Sequence, residues 1–203
     1  AVIDGTALVT GVLTTTAAAV FNGGFTSNAD TNTFTSANAS DPLVIIKNTA
    51  NDASGARLSF QKDKGANAAD GDDIGTITFI GDNNAQEQTN YGSIVVEVSE
   101  SQDTDEAGKM SFFVAESNGT ASQLTAGLII EGEHATDGEV DVTIAAGTAS
   151  TTTVSGNLAV TTQLTATSGA VSAPTYSFVG DTDTGISRPT TNAVNIVTAG
   201  EER

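Results

Sequence analysis

The chain has 203 residues and a formal net charge of −18, from 7 Lys plus Arg against 25 Asp plus Glu. A surface so acidic repels polyanions, which excludes nucleic acid and anionic membrane faces as partners. No apolar run approaches the ~20 residues that cross a bilayer, so no membrane insertion is expected. With no cysteine, disulfides, thiolate catalysis and Cys-based metal sites fall away together.

Composition narrows the fold next. Leu, Ile, Val and Phe number 45 of 203 residues, barely above the level at which a chain lacks the means to build a core. A single compact domain with a deep core is therefore not expected. Val plus Ile number 29 against 9 for Leu plus Met, and Thr is abundant. Such β-branched side chains are stiff at χ1 and pack well on a pleated surface, so the fold class is all-β. The 21 glycines against 3 prolines fit many tight turns. The chain opens on Ala1 and closes on Arg203, and it reads as a piece of something longer.

Residues 1–41 are rich in Thr, Ala, Ser, Gly and Asn, with isolated aliphatics and almost no charge. The run Val9-Thr10-Gly11-Val12-Leu13-Thr14-Thr15-Thr16 recurs in form as Val154-Ser155-Gly156-Asn157-Leu158-Ala159-Val160-Thr161, inside a second stretch of the same texture at 147–172. Short strands joined by glycine turns cannot bury a face alone. Two copies are too few for a solenoid, so other chains are expected to cover Val9, Leu13, Val154 and Leu158. Within Ala17-Ala18-Ala19 a helical turn would find the best helix former.

Residues 42–146 read as an antiparallel β domain. Leu43-Val44-Ile45-Ile46 forms an apolar run after Pro42, and Leu58 and Phe60 alternate with polar neighbours. The same period of two runs through Ile77 and Phe79, through Ile94, Val96 and Val98, and through Met110, Phe112 and Val114. It continues in Leu124, Ala126, Leu128 and Ile130, and in Val140, Val142 and Ile144. This spacing predicts half-buried strands, arranged as a sandwich or as a sheet completed by neighbouring chains. Polar loops are expected at 63–73, 81–90, 99–108 and 116–122, the last carrying Asn118-Gly119, with most of the acidic residues among them. Residues 173–203 form a distal β segment: an extended Ala173–Phe178, a turn at Gly180–Gly185 and a strand at Val194–Val197.

Little in the chain points to chemistry. His134 is the only histidine, and as a general base it would need an orienting partner and a nucleophile beside it; it reads as a surface-loop residue. No nucleophile elbow, phosphate loop or paired-histidine motif is present. A sugar-cleaving groove would want a carboxylate pair and aromatic platforms, yet Trp is absent and Tyr numbers two. No catalytic residue and no cofactor is assigned. Asp181 and Asp183 resemble the start of a calcium loop, but Asn192 stands where the closing Glu would be needed. They are kept only as weak metal candidates, against the plainer role of turn-capping side chains.

One block is familiar. Pro174-Thr175-Tyr176-Ser177-Phe178-Val179-Gly180-Asp181-Thr182-Asp183-Thr184-Gly185-Ile186-Ser187-Arg188-Pro189 resembles a segment common in tail-fibre proteins of tailed bacteriophages, where it commonly precedes a C-terminal chaperone region. Gly200-Glu201-Glu202-Arg203 looks like the lead into that region. The Val9–Ala17 stretch with Val20-Phe21-Asn22-Gly23-Gly24 is similar to fibre shaft repeats. Gly55–Phe60, Ile74-Gly75-Thr76-Ile77 and Tyr91-Gly92-Ser93-Ile94 look like fibre-domain strands.

The resemblance implies an elongated homotrimeric virion fibre, extracellular, with shaft segments at 1–41 and 147–172 flanking the domain at 42–146. Its expected partners are itself, other virion proteins and a host cell-surface glycan or protein. Arg188, one of seven cations and close after Asp181 and Asp183, is expected to pair with a carboxylate, of its own or a neighbouring chain, and fix the register of the distal segment, against the plainer reading of a lone exposed arginine. The rival readings are a bacterial surface adhesin or extracellular filament subunit, and a polysaccharide-degrading tailspike.

Overall fold

A computed structural model describes residues 15, 19, 21, 24–134 and 138–203. The chain forms two compact units, Ala1–Phe60 and Gln61–Arg203. All regular structure lies in the second, and it is all-β, antiparallel and without helix among the described residues. Of the alanine run only Ala19 is described, and it is irregular.

In the first unit no strand occurs among the described residues. Leu43–Ile46 and the Leu58–Phe60 alternation, expected as strands, are instead irregular and exposed. An apolar run becomes a strand only when a neighbour completes its hydrogen-bond ladder, and the single chain supplies none. Local side chains shape this region instead. Asn48 accepts from the Ala50 N–H at 2.8 Å and donates to the Ser54 carbonyl at 2.9 Å.

The second unit opens with a five-stranded meander: β1 (Asp73–Asp82), β2 (Gln88–Glu100), β3 (Ala107–Ser117), β4 (Ser122–Gly132) and β5 (Val140–Ile144), each paired with the next. These are the other five of the strands that the period-two pattern predicts. Turn chemistry closes the hairpins. Asn118 accepts from the N–H groups of Thr120 and Ala121 at 2.9 and 3.1 Å, while Gly119 takes a φ of +87° that an L side chain resists.

Register shifts fall at Ile74, Tyr91, Ser99 and Gly127. At the second of these, Asn90 accepts from the Gly92 N–H at 3.1 Å and donates to Ser93 at 3.0 Å. The fourth corrects the sequence reading. Leu124 and Ala126 were expected on one face with Leu128 and Ile130, but the extra residue at Gly127 aligns Ala126 with Phe113 and Leu124 with Ala115. A bulge moves every residue beyond it to the other face.

A second, four-stranded meander comprises β6 (Tyr176–Phe178), β7 (Asp181–Ser187), β8 (Asn195–Thr198) and β9 (Glu201–Glu202). Here the expected turn at Gly180–Gly185 is mostly strand. The reversal is confined to Val179-Gly180, with Gly180 at φ +83°, and pairing on both sides holds Asp181–Ser187 extended. Gly185 stands opposite Val197, and a Cβ there would overlap the Tyr176 carbonyl. Between Ala170 and Ala173 there is only an isolated bridge, and residues 147–169 carry no strand.

Candidate assembly surface

Residues paired directly across strands share a face, so the register defines two unlike surfaces on the five-stranded sheet. One row runs Ile77–Ile94–Phe112–Leu128–Ile144, a side chain from every strand. The next runs Gly75–Val96–Met110–Ile130–Val142. Phe79 and Val114 extend this apolar face, flanking Gly92. None of these side chains is buried, and Ile144 on the outer strand is 58% exposed.

On the opposite face the row Thr76–Val95–Ser111–Ile129–Thr143 is mixed, and beside it lies a row of charge. Asp73, Glu97, Lys109, Glu131 and Asp141 stand side by side across the five strands. Lys109 is the one cation in that row, with its ammonium 2.8 Å from Glu97. That hydrogen bond, with the fields of Glu97 and Glu131, holds the Lys109 pKa above the ordinary lysine value against partial burial. The acidic charge is thus not only a loop property. The sequence could not show this, because it does not say which strand neighbours which.

The hairpin order sorts the loops. Loops 62–72 and 101–106 share one end of the sheet with the β4–β5 connection, and 83–87 and 118–121 share the other. Asp70 joins the first two by accepting from the Ser101 N–H and hydroxyl at 3.0 and 2.8 Å. Lys64 pairs with Asp72 at 2.6 Å, a bond that lowers the Asp72 pKa.

His134 belongs to the same end, half exposed as a loop histidine should be. Its Nδ1 lies 3.4 Å from Asp105 and 4.0 Å from Glu100, and the Asp105 contact raises its pKa above the ordinary value. The carboxylate partner was not legible from the sequence, since 29 residues separate the pair. Ser99, Glu131 and Asp141 share a recess of about 310 Å³ with His134, yet among the described residues His134 hydrogen-bonds only to Asp105.

The remaining residues singled out from sequence are dispersed. Val9 and Leu13 lie outside the described residues. Val154 and Leu158 are exposed, at 53% and 66%, in a segment without strands. Within the chain the Arg188 Nε donates to the Ser168 hydroxyl at 3.1 Å, and among the described residues no carboxylate of its own chain pairs with it. Asp181 and Asp183 are exposed on β7, and no group of three or more potential metal ligands occurs among the described residues.

One property unites these observations. Among the described residues Val197, at 0% exposure, is the only buried large aliphatic or aromatic side chain. The chain exposes 16937 Å², where a folded monomer of its mass exposes roughly 8,800 Å². No family model matches the chain, and neither does any curated protein or solved structure.

Proposed function

We propose that this chain is a structural and adhesive segment of a phage tail fibre, a parallel homotrimer outside the cell that spaces and presents host-binding surfaces. The observation that carries this reading is the near-absence of a core among the described residues of the single chain. Apolar surface contributes about 25 cal/mol per Å² when removed from water, and here most of the large apolar side chains among the described residues are still exposed. A chain of this kind gains its stability by covering itself with copies of itself, and the exposed Val154 and Leu158 fit that role. Strong net charge then keeps the assembled particles apart and dissolved.

The end of the sheet that gathers loops 62–72 and 101–106 is the surface suited to touching a host glycan or protein, since binding residues sit on loops over a rigid scaffold. The reading assigns no catalytic residue. Arg188, which among the described residues donates to a serine of its own chain, is placed to reach a neighbouring copy as well.

Light scattering at micromolar concentration tests the assembly, with an expected mass of three times 20.4 kDa; a single-chain mass refutes it. Incubation with host cells and their isolated polysaccharide tests the rest. Binding without cleavage supports adhesion, whereas released oligosaccharide establishes the tailspike alternative.

A further inference from the structure

We infer that the apolar face of the β1–β5 sheet is turned toward the three-fold axis, so that three copies of one sheet enclose a core that no single chain possesses. The inference rests on the trimeric reading above and specifies which surface of the chain meets its copies.

Charge selects the occupant. The two full rows, Ile77–Ile94–Phe112–Leu128–Ile144 and Gly75–Val96–Met110–Ile130–Val142, contain no ionisable group, although the chain carries −18 overall. A second copy can approach these two rows without setting carboxylate against carboxylate, since the acid on the same face of β3, Glu116, lies beyond Val114 toward the end of the strand. The opposite face, with Asp73, Glu97, Glu131 and Asp141 around one lysine, cannot be brought against itself so easily.

Dimensions select the number of copies. Five strands at about 4.8 Å spacing give a sheet about 24 Å wide. Three such sheets forming the sides of a triangular prism leave about 7 Å from each sheet to the axis, against about 5 Å when two sheets stack face to face. The extra depth requires the longest side chains on the middle strand, which lies nearest the axis. The middle strand is β3, and its residues in the two rows are Phe112 and Met110. The β-branched Ile77, Ile144 and Val142 fall on the edge strands, at the corners. There β1 of one copy comes beside β5 of the next, and each edge that the single chain leaves unpaired is covered.

The test uses the absence of native cysteine, which makes any introduced thiol unique. Ile144 and Thr143 are consecutive on β5, both exposed in the single chain, and belong to opposite faces. In the assembled protein Ile144→Cys should react with a maleimide roughly 100-fold more slowly than Thr143→Cys, the protection of a group freed only when the assembly opens. Both should react alike in denaturant. Val142→Cys with Asp141→Cys repeats the comparison one step along the strand, should either first variant fail to fold.

A three-chain mass with a protected Ile144→Cys or Val142→Cys supports the inference. A three-chain mass with equal reactivity on both faces overturns it and leaves the trimer standing. A one-chain or two-chain mass overturns both.

Discussion

Replacing Lys109 by Gln removes the one cation from a row of four carboxylates. Its direct neighbours are Glu97 on β2 and Glu131 on β4. Cross-strand pairs of opposite charge contribute about 0.2–1 kcal/mol each, so losing two costs about 0.4–2 kcal/mol. The repulsion between the two glutamates is the same in parent and variant, so the expected loss is about 0.4–2 kcal/mol per chain, or about 1–8 °C in melting temperature for a chain of this length.

Thermal unfolding followed by far-ultraviolet circular dichroism reads it. At low salt Lys109→Gln should melt below the parent. At about 1 M salt, where the screening length falls to about 3 Å, most of the difference should vanish. Because the lysine pKa is raised in the fold, its contribution is complete at neutral pH and is lost only as pH rises through the raised value. Equal melting at low salt, or a deficit unmoved by salt, would refute the electrostatic account of the row.

Other outcomes follow from geometry already given. Gly185→Ala places a Cβ on the Tyr176 carbonyl and should destabilise the distal sheet by about 3 kcal/mol or more, whereas Gly55→Ala, with open space around it, should leave melting nearly unchanged. Ala199 and Gly200 form the two-residue turn between β8 and β9 with φ of +53° and +70°, the conformation that favours Asn-Gly; Ala199→Asn should raise stability by about 0.5–1 kcal/mol, measured by denaturant midpoint. The hydrogen bond to Asp105, with the field of Glu100, raises the His134 pKa, so its contribution is complete below about pH 6.5 and is lost as pH rises through its raised value. Stability should therefore decline across that window, and His134→Gln should flatten the decline.

How far the sequence could be read depended on whether a residue's partner was close along the chain. Alternation in Ile94–Val98, Met110–Val114 and Val140–Ile144 marked the apolar face correctly, because side-chain direction in a strand is local. It misled at Leu124 and Ala126, where one extra residue at Gly127 reverses direction without leaving any trace in the hydrophobic pattern. It misled again at Leu43–Ile46, apolar enough for a strand but without a ladder partner. At Gly180–Gly185 the turn-forming residue types were outweighed by pairing with β6 and β8. Long-range polar contacts were hidden altogether: Arg188 with Ser168, Ser101 with Asp70 and His134 with Asp105 are set by topology rather than by spacing.

The charged row has a consequence for accuracy during assembly. A strand that slips by one residue exchanges its faces, and three of the five strands, β2, β4 and β5, carry an acid one position away from a side chain of the apolar face: Glu97 beside Val96, Glu131 beside Ile130, Asp141 beside Val142. In the proposed trimer a slipped copy would present carboxylates to the axis, where they would meet the carboxylates or the hydrocarbon of two other chains. Desolvating even one unpaired carboxylate costs several kcal/mol, more than a misplaced hairpin can recover. In the proposed trimer only chains already in register would close the ring, and the acids of the charged face would act as a proofreading device for the apolar residues of the other.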